Sequence, residues 1–314
     1  MKRKWLSDLG LLFVTFIWGS TFIVVQNAVN LMPPFAFNAW RFLAAAVVLG
    51  AAAGFIAIKN PKAFNTQLIR HGLALGVLLF VGYGTQTLAL LYTTSSKTAF
   101  ITGLSVVLVP VLAWALLKNR PEKTAWFGAV IATLGLYFLS DLDGFAIQRG
   151  DALALMCAFA FGLHIVLTAK VTRDHSSLLL TAVQLITVSL LNFLCGALFD
   201  GVRTTFSWQP FARGQVLFAC LFTALFATAL AYSLQTSLQR FTPPAHVAII
   251  FLMEPVFAAA TARVTAGETL SLSGKIGAVL ILGGMLLSEW PAKKTPSSLP
   301  ATGNKAAAGR NGNG

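Results

Sequence analysis

Charge is what this sequence has little of. Only 11% of its 314 residues are Asp, Glu, Lys or Arg, and ten are acidic, against 56% that are hydrophobic. About a quarter of a typical soluble domain is charged, so a water-soluble enzyme or binding module is excluded and the chain reads as an integral membrane protein. Cysteine is rarer still, at three residues. Cys157, Cys195 and Cys220 all lie in apolar runs, with no CxxC and no His at metal-ligand spacing, so they read as buried thiols that offer neither a disulfide framework nor a metal site. There is also no GxxxxGK[ST] phosphate loop, no GxGxxG, no HExxH, and no pair of carboxylates inside an apolar segment. Direct use of ATP, dinucleotide chemistry and intramembrane hydrolysis therefore have nothing to stand on, and no cofactor is expected.

What is present is length in apolar runs. About 20 apolar residues span a bilayer as a helix, and segments of that kind fall at residues 8–28, 34–58, 71–93, 96–117, 122–140, 150–171, 176–199, 214–238, 243–265 and 271–290. The opening Met1–Lys4, MKRK, followed by the run Leu9–Val25, superficially resembles a secretory signal, but it lacks a small-x-small cleavage site and has a counterpart later in the chain, so it reads as a retained helix. The longest connection is Asp200–Arg213, and the tail Pro291–Gly314, rich in Pro, Ser, Gly, Ala and Asn, is expected to be disordered. The net charge of +13 forms no contiguous face that would suit a nucleic acid. Instead 16 of the 23 Lys and Arg fall on the N-terminal side of the alternating segments, six on the other, and Arg41 inside a helix. That bias puts both termini in the cytoplasm.

The chain also repeats itself. An offset of 149 residues aligns Tyr83–Phe138 with Tyr232–Leu287 without a gap and gives 12 identities in 56 positions, among them Tyr83 with Tyr232, Gln86–Thr87 with Gln235–Thr236, Gly128 with Gly277 and Gly135 with Gly284. An offset of 143 pairs Asp8 with Asp151, Phe16 with Phe159, Gly19 with Gly162 and Ala39 with Ala182. Five helices per copy is an odd number, so the second copy enters the membrane from the opposite face. The expected fold is all-α and integral to the membrane, ten transmembrane helices arranged as two inverted five-helix repeats. Residues 1–145 form the first repeat, 146–290 the second, and 291–314 a cytoplasmic tail.

Within such helices polar side chains report the face that avoids lipid. The third helix carries Tyr83, Gln86, Thr87 and Leu90, and the eighth repeats this stripe with Tyr232, Gln235, Thr236 and Gln239. The second has Asn38 and Arg41, its counterpart Thr181 and Gln184; the fourth has Thr98, Thr102 and Ser105 where the ninth has Val247, Phe251 and Glu254. Glu254 makes the strongest claim. A charged side chain at mid-bilayer costs about 2.5–3.5 kcal/mol on insertion scales, and this one stands beside Pro255, which denies the Phe251 carbonyl its helical donor. It must be protonated there, or be neutralised by a cation or a hydrogen-bond network; either state allows coupling, and tying down an interrupted helix is the alternative. Arg41 reads as a substrate contact or as a snorkelling or structurally paired cation, and His164 as a proton carrier or a hydrogen-bonded packing residue. Trp18 and Phe161, aligned beside Gly19 and Gly162, suit either cavity walls or ordinary packing.

Several motifs together resemble a known family. Phe16–Ile17–Trp18–Gly19–Ser20–Thr21–Phe22, Trp40–Arg41–Phe42, Ala99–Phe100–Ile101–Thr102–Gly103–Leu104, Leu252–Met253–Glu254–Pro255–Val256–Phe257–Ala258–Ala259 with Gly267–Glu268, and Gly277–Ala278 are similar to the drug/metabolite transporter superfamily in its ten-helix EamA-type branch of bacterial exporters. The resemblance runs over about residues 8–290 and departs where Lys118–Asn119 replaces Gly267–Glu268 in the first half. It implies a bundle around a central cavity lined by helices one to four and six to nine. It also implies export of small amino-acid-like or amphipathic metabolites across the bacterial cytoplasmic (inner) membrane by alternating access without ATP. Its partners would be a small-molecule substrate and the lipid bilayer, not nucleic acid. On that reading Trp18, Arg41, Tyr83, Gln86, Ser105, His164, Gln184, Tyr232 and Gln235 are substrate-binding candidates and Glu254 the coupling residue. A facilitator or importer, or a non-transporting scaffold or sensor, stays open.

Overall fold

The computed structural model describes residues 2–89, 91–92, 95–118, 120–140, 149–266 and 271–289, and the elements it forms among them are helices. They are α1 (Lys2–Val29), α2 (Pro34–Lys59), α3 (Thr66–Ala89), α4 (Ser95–Gly103), α5 (Ser105–Leu117), α6 (Lys123–Leu139), α7 (Arg149–Val171) and α8 (Ser177–Cys195). These are followed by α9 (Val202–Thr205), α10 (Gln209–Ala212), α11 (Gly214–Phe222), α12 (Ala231–Leu238), α13 (Pro244–Phe251), α14 (Met253–Ala266) and α15 (Leu272–Glu289). Wider π-helical turns at Gly196–Gly201 and Thr223–Leu230 join α8 to α9 and α11 to α12. Eight helical spans are long and apolar enough to cross a membrane, and two shorter apolar helices, Lys123–Leu139 and Leu272–Ser288, accompany them. The expected tail and the Gly267–Glu268 and Asn119 positions lie outside the described residues.

Local chemistry sets the helix ends. Pro33 and Pro243 are extended, with ψ of 141° and 140°, and each precedes a proline at the first helical position of α2 or α13. Proline lacks the N–H that would be orphaned there, and it restrains the residue before it to extended backbone. The Asn65 side chain accepts the Leu68 N–H at 2.9 Å and starts α3; the Ser271 hydroxyl does the same for Gly274 at 2.9 Å in α15.

Two spans are broken. In the ninth, Leu252 turns its N–H to the Ile249 carbonyl at 3.2 Å, three residues before Pro255, whose ring and missing donor forbid a regular turn there. In the fourth, the break falls at Leu104, whose N–H goes to Ile101 at 3.2 Å. A proline inside a helix usually interrupts it, yet Pro110 lies inside continuous α5. Ser105 and Glu254 therefore both stand in the first turn of a second half-helix.

Large apolar side chains cover the outside, and polar ones join the apolar core within. Phe13, Val47, Phe55, Phe127 and Phe218 are exposed, whereas Thr15, Asn38, Arg41, His164, Gln184 and Asn192 are buried. With hydrocarbon outside, exposed apolar side chains cost nothing, while polar side chains avoid lipid by facing the interior. Threonines in the interior bond their own helix: Thr15, Thr85, Thr87 and Thr187 donate to the carbonyl four residues back at 2.7 to 2.9 Å. Close packing rests on glycine. A Cβ at Gly128 would stand 2.6 Å from the Gly284 carbonyl, and one at Gly135 would stand 2.7 Å from that of Gly277, so α6 and α15 touch backbone to backbone.

Candidate functional site

The middle of the bundle is an aromatic and polar cluster. The Tyr232 hydroxyl donates to the Tyr83 hydroxyl at 2.8 Å. The Trp18 ring lies 5.4 Å from Tyr232 and 5.2 Å from Phe251, and the Phe161 ring 5.4 Å from Tyr83. Arg41, 4% exposed, donates from Nε to Thr228 Oγ1 at 2.8 Å, and its guanidinium sits 5.5 Å from the Tyr83 ring and 5.4 Å from Phe42. A desolvated cation over aromatic faces gains about 2 kcal/mol or more, so the rings help hold a charge that hydrocarbon would expel.

The π-helical stretch Thr223–Leu230 serves this cluster directly. Its wide turn takes Thr228 Oγ1 to the Thr223 carbonyl five residues back at 2.9 Å, so Thr228 both closes the turn and meets Arg41. The neighbouring Ala227 carbonyl accepts the Trp18 indole N–H at 2.8 Å. π turns of this kind recur at functional sites.

Beside the cluster lies a cavity of about 440 Å³. Trp18, Arg41, Tyr83, Gln86, Ser105, His164, Tyr232, Gln235 and Glu254 all line it. Gln184 does not. It stands behind His164, whose Nε2 it meets through Oε1 at 2.9 Å, and so orients the imidazole rather than facing the space. Among the described residues no lining side chain comes from α8, while Leu139 and Ser140 at the end of α6 do contribute. Lining residues climb α1 from Trp18 to Val29, about 16 Å at 1.5 Å per residue. They reach the ends of α6 and α14 at Ser140 and Ala262, on the side away from Lys4. On the Lys4 side, Thr242 donates to Asp8 at 2.6 Å, Lys4 Nζ meets His246 Nδ1 at 3.3 Å, and Leu11, Val109, Val247 and Ile250 pack into an apolar plug.

Glu254 and Arg41 face this one space without an ion pair between them. Two further polar atoms, Gln235 Oε1 and Thr98 Oγ1, are buried on the wall with no hydrogen-bond partner among the described residues. An unpaired buried polar atom costs about 1–3 kcal/mol, so this surface is complementary to a solute that can donate and accept. Gln26, Asn38, Thr98 and Phe161 complete the wall though the candidate set omits them. Asn38 and Thr98 already stood in the polar stripes, and Phe161 was aligned with Trp18. Thr228 carried no signal, because a π turn shifts it off the 3.6-residue face that marks its neighbours.

A transporter family model matches the chain twice, over residues 5–141 and 148–290, and it describes the EamA-like transporter family. The chain belongs to that family. Among its relatives, an uncharacterized transporter of Archaeoglobus fulgidus is 36% identical over 282 residues, covering 90% of this chain and 85% of its own. The Bacillus subtilis transporter YetK is 28% identical over 97% of this chain and 93% of its own. The Escherichia coli inner membrane transporter YedA is 26% identical over 86% of each. A solved crystal structure covering 90% of this chain and 96% of its own superposes with a TM-score of 0.75 at 18% identity, which speaks to fold alone. EamA-like membership makes this a multi-pass membrane transporter and not an enzyme.

Proposed function

We propose that this EamA-like protein is a secondary transporter that exports small metabolites across the cytoplasmic membrane by alternating access of the cavity, without ATP. The observation that carries the reading is a set of exchanged contacts. Trp18 touches Tyr232 and Phe161 touches Tyr83, both at 5.4 Å, and these are the same pair under the repeat offsets. Gly19 meets Phe257 and Ala258 on α14, while Gly162 meets their counterparts Leu108 and Val109 on α5. Contacts of i with j′ and j with i′ are the signature of a two-fold. In α6 and α15 the register runs Gly128 to Gly284 and Gly135 to Gly277, so equivalent helices pair antiparallel and the axis lies across them. That supports two inverted repeats of five helices, over 1–145 and 146–290, with the cavity at their junction.

The charge bias puts the Lys4 side in the cytoplasm, so this conformation is open outward and sealed inward by Asp8–Thr242, Lys4–His246 and the apolar plug. Rocking of one repeat against the other would break those contacts and close the outer mouth. Arg41 and Glu254 across one cavity walled by Trp18, Phe161 and Phe251 suit a small amphipathic or zwitterionic solute. Glu254 would switch between protonated and ion-paired states as the cavity alternates.

Comparing metabolites released by cells lacking and overproducing the protein identifies the solute, and its flux in sealed proteoliposomes tests the mechanism. Arg41→Gln is expected to leave a folded protein with flux reduced about a hundredfold, since the two hydrogen bonds a guanidinium can give a solute's carboxylate would be worth about 3 kcal/mol or more. Unchanged flux would move Arg41 to a structural role. A scaffold or sensor would tolerate alanine at Tyr83 and Tyr232; a transporter is expected to lose flux while folding.

A further inference from the structure

We propose that the concavity between the α1–α2 turn and the α9–α10 segment binds the phosphate headgroup of an anionic phospholipid, in the leaflet on the side away from the N terminus. The concavity, about 540 Å³, is lined by Arg203 and Arg213 with Thr204, Ser207 and Gln209 around Pro33. No carboxylate lines it. Neither guanidinium makes a hydrogen bond or ion pair among the described residues, and both are exposed. Two arginines, two hydroxyls and an amide around one concavity form a donor-rich recess for a phosphate diester, and guanidinium forks fit its oxygens two at a time.

The segment is anchored so that this recess is fixed at the bundle surface. Gly201, at φ of +88°, ends the π turn with a backbone conformation only glycine takes readily. The Trp40 indole N–H then donates to the Thr205 carbonyl at 3.0 Å, and its ring lies 4.8 Å from Trp208 and 6.0 Å from Phe211. Beside the recess, Phe199, Val202, Phe206 and Trp208 are 75%, 61%, 49% and 66% exposed, an aromatic and aliphatic face of the kind that sits at the boundary between headgroups and acyl chains. A free anion would use only the donors. A lipid uses both surfaces, its phosphate on the arginines and its chains along the apolar face. The placement also accounts for two arginines in one short connection on the side where Lys and Arg are otherwise sparse.

The test is native mass spectrometry of the full-length protein released from micelles, titrated with phosphatidylglycerol, with phosphatidylcholine of the same chains, and with inorganic phosphate. Phosphatidylglycerol is expected to bind most tightly. The double substitution Arg203→Gln with Arg213→Gln should weaken it about 25-fold, the factor two surface arginines contribute toward an anionic lipid, and bring it near phosphatidylcholine. Each single substitution should cost about fivefold, which keeps the test decisive if the double variant fails to fold, and Arg149→Gln should change nothing. Equal binding of the two lipids by the unaltered protein, or single variants that bind phosphatidylglycerol undiminished, would overturn the proposal. Inorganic phosphate binding as tightly as phosphatidylglycerol would overturn it in favour of a free-anion site.

Discussion

Gly19→Leu is expected to yield no folded transporter, and Gly19→Ala a protein whose melting temperature in detergent falls by about 5–10 °C. A Cβ at Gly19 would stand 2.5 Å from the Glu254 carbonyl oxygen, 2.7 Å from Phe257 Cβ and 2.9 Å from the Ala258 nitrogen. Two of those three atoms are backbone, so no rotamer change relieves the clash. α1 must then move off α14 and carry Trp18 away from Tyr232 and from the Ala227 carbonyl. Overpacking of this kind costs about 1–3 kcal/mol for a methyl and more for a larger group, and about 2–4 °C is lost per kcal/mol in chains of this size class. Gly50 is the control. A Cβ there meets nothing within 4 Å, so Gly50→Ala is expected to be neutral or to stabilise by up to about 1 kcal/mol, because alanine restricts the unfolded chain. Thermal unfolding followed by tryptophan fluorescence separates the two; equal behaviour of both alanine variants would show that the α1–α14 crossing is not tight.

Glu254→Gln is expected to abolish gradient-driven flux while sparing the fold. The carboxamide has the same shape, and Glu254 makes no ion pair among the described residues that the substitution would break. It only removes the ability to take up and release a proton or to pair with a cation. One proton moved per solute across one pH unit sustains about a tenfold concentration ratio. Proteoliposomes with the unaltered protein should therefore build about a tenfold solute gradient per pH unit, acid outside driving export, whereas Glu254→Gln should only equilibrate its solute. Flux in the unaltered protein that ignores the pH gradient and survives the substitution would remove Glu254 from coupling and leave a facilitator.

Much of this was legible in the residues because a bilayer simplifies the code. Backbone groups in hydrocarbon must be paired within the segment, so an apolar run of sufficient length is a helix, and the described residues form eight apolar helical spans of crossing length with two shorter apolar helices. Polar residues avoid lipid, so the Tyr83 and Tyr232 stripes pointed inward, and their hydroxyls meet. What stayed hidden depends on departures from regular geometry. The π turn that hands Thr228 to Arg41 has no residue signature in TALFATAL. Gln184 has the polarity and spacing of a wall residue, yet it stands one layer back, because His164 fills the space between it and the cavity. The fourth helix breaks at Leu104 rather than at Pro110, the residue that advertises a break. The connection 200–213, read only as the longest loop, folds into α9 and α10, where Trp40 offers it an aromatic surface.

If one cavity opens alternately to the two sides, locking one side shut must stop transport. Asp8 and Thr242 touch through their side chains at 2.6 Å. With Cys157, Cys195 and Cys220 replaced, Asp8→Cys with Thr242→Cys should form a disulfide that staples the seal on the Lys4 side. In sealed proteoliposomes carrying the solute identified by the export comparison, oxidation is expected to stop flux and a reductant to restore it, with neither single cysteine variant responding. Undiminished flux through a fully cross-linked protein would contradict alternating access.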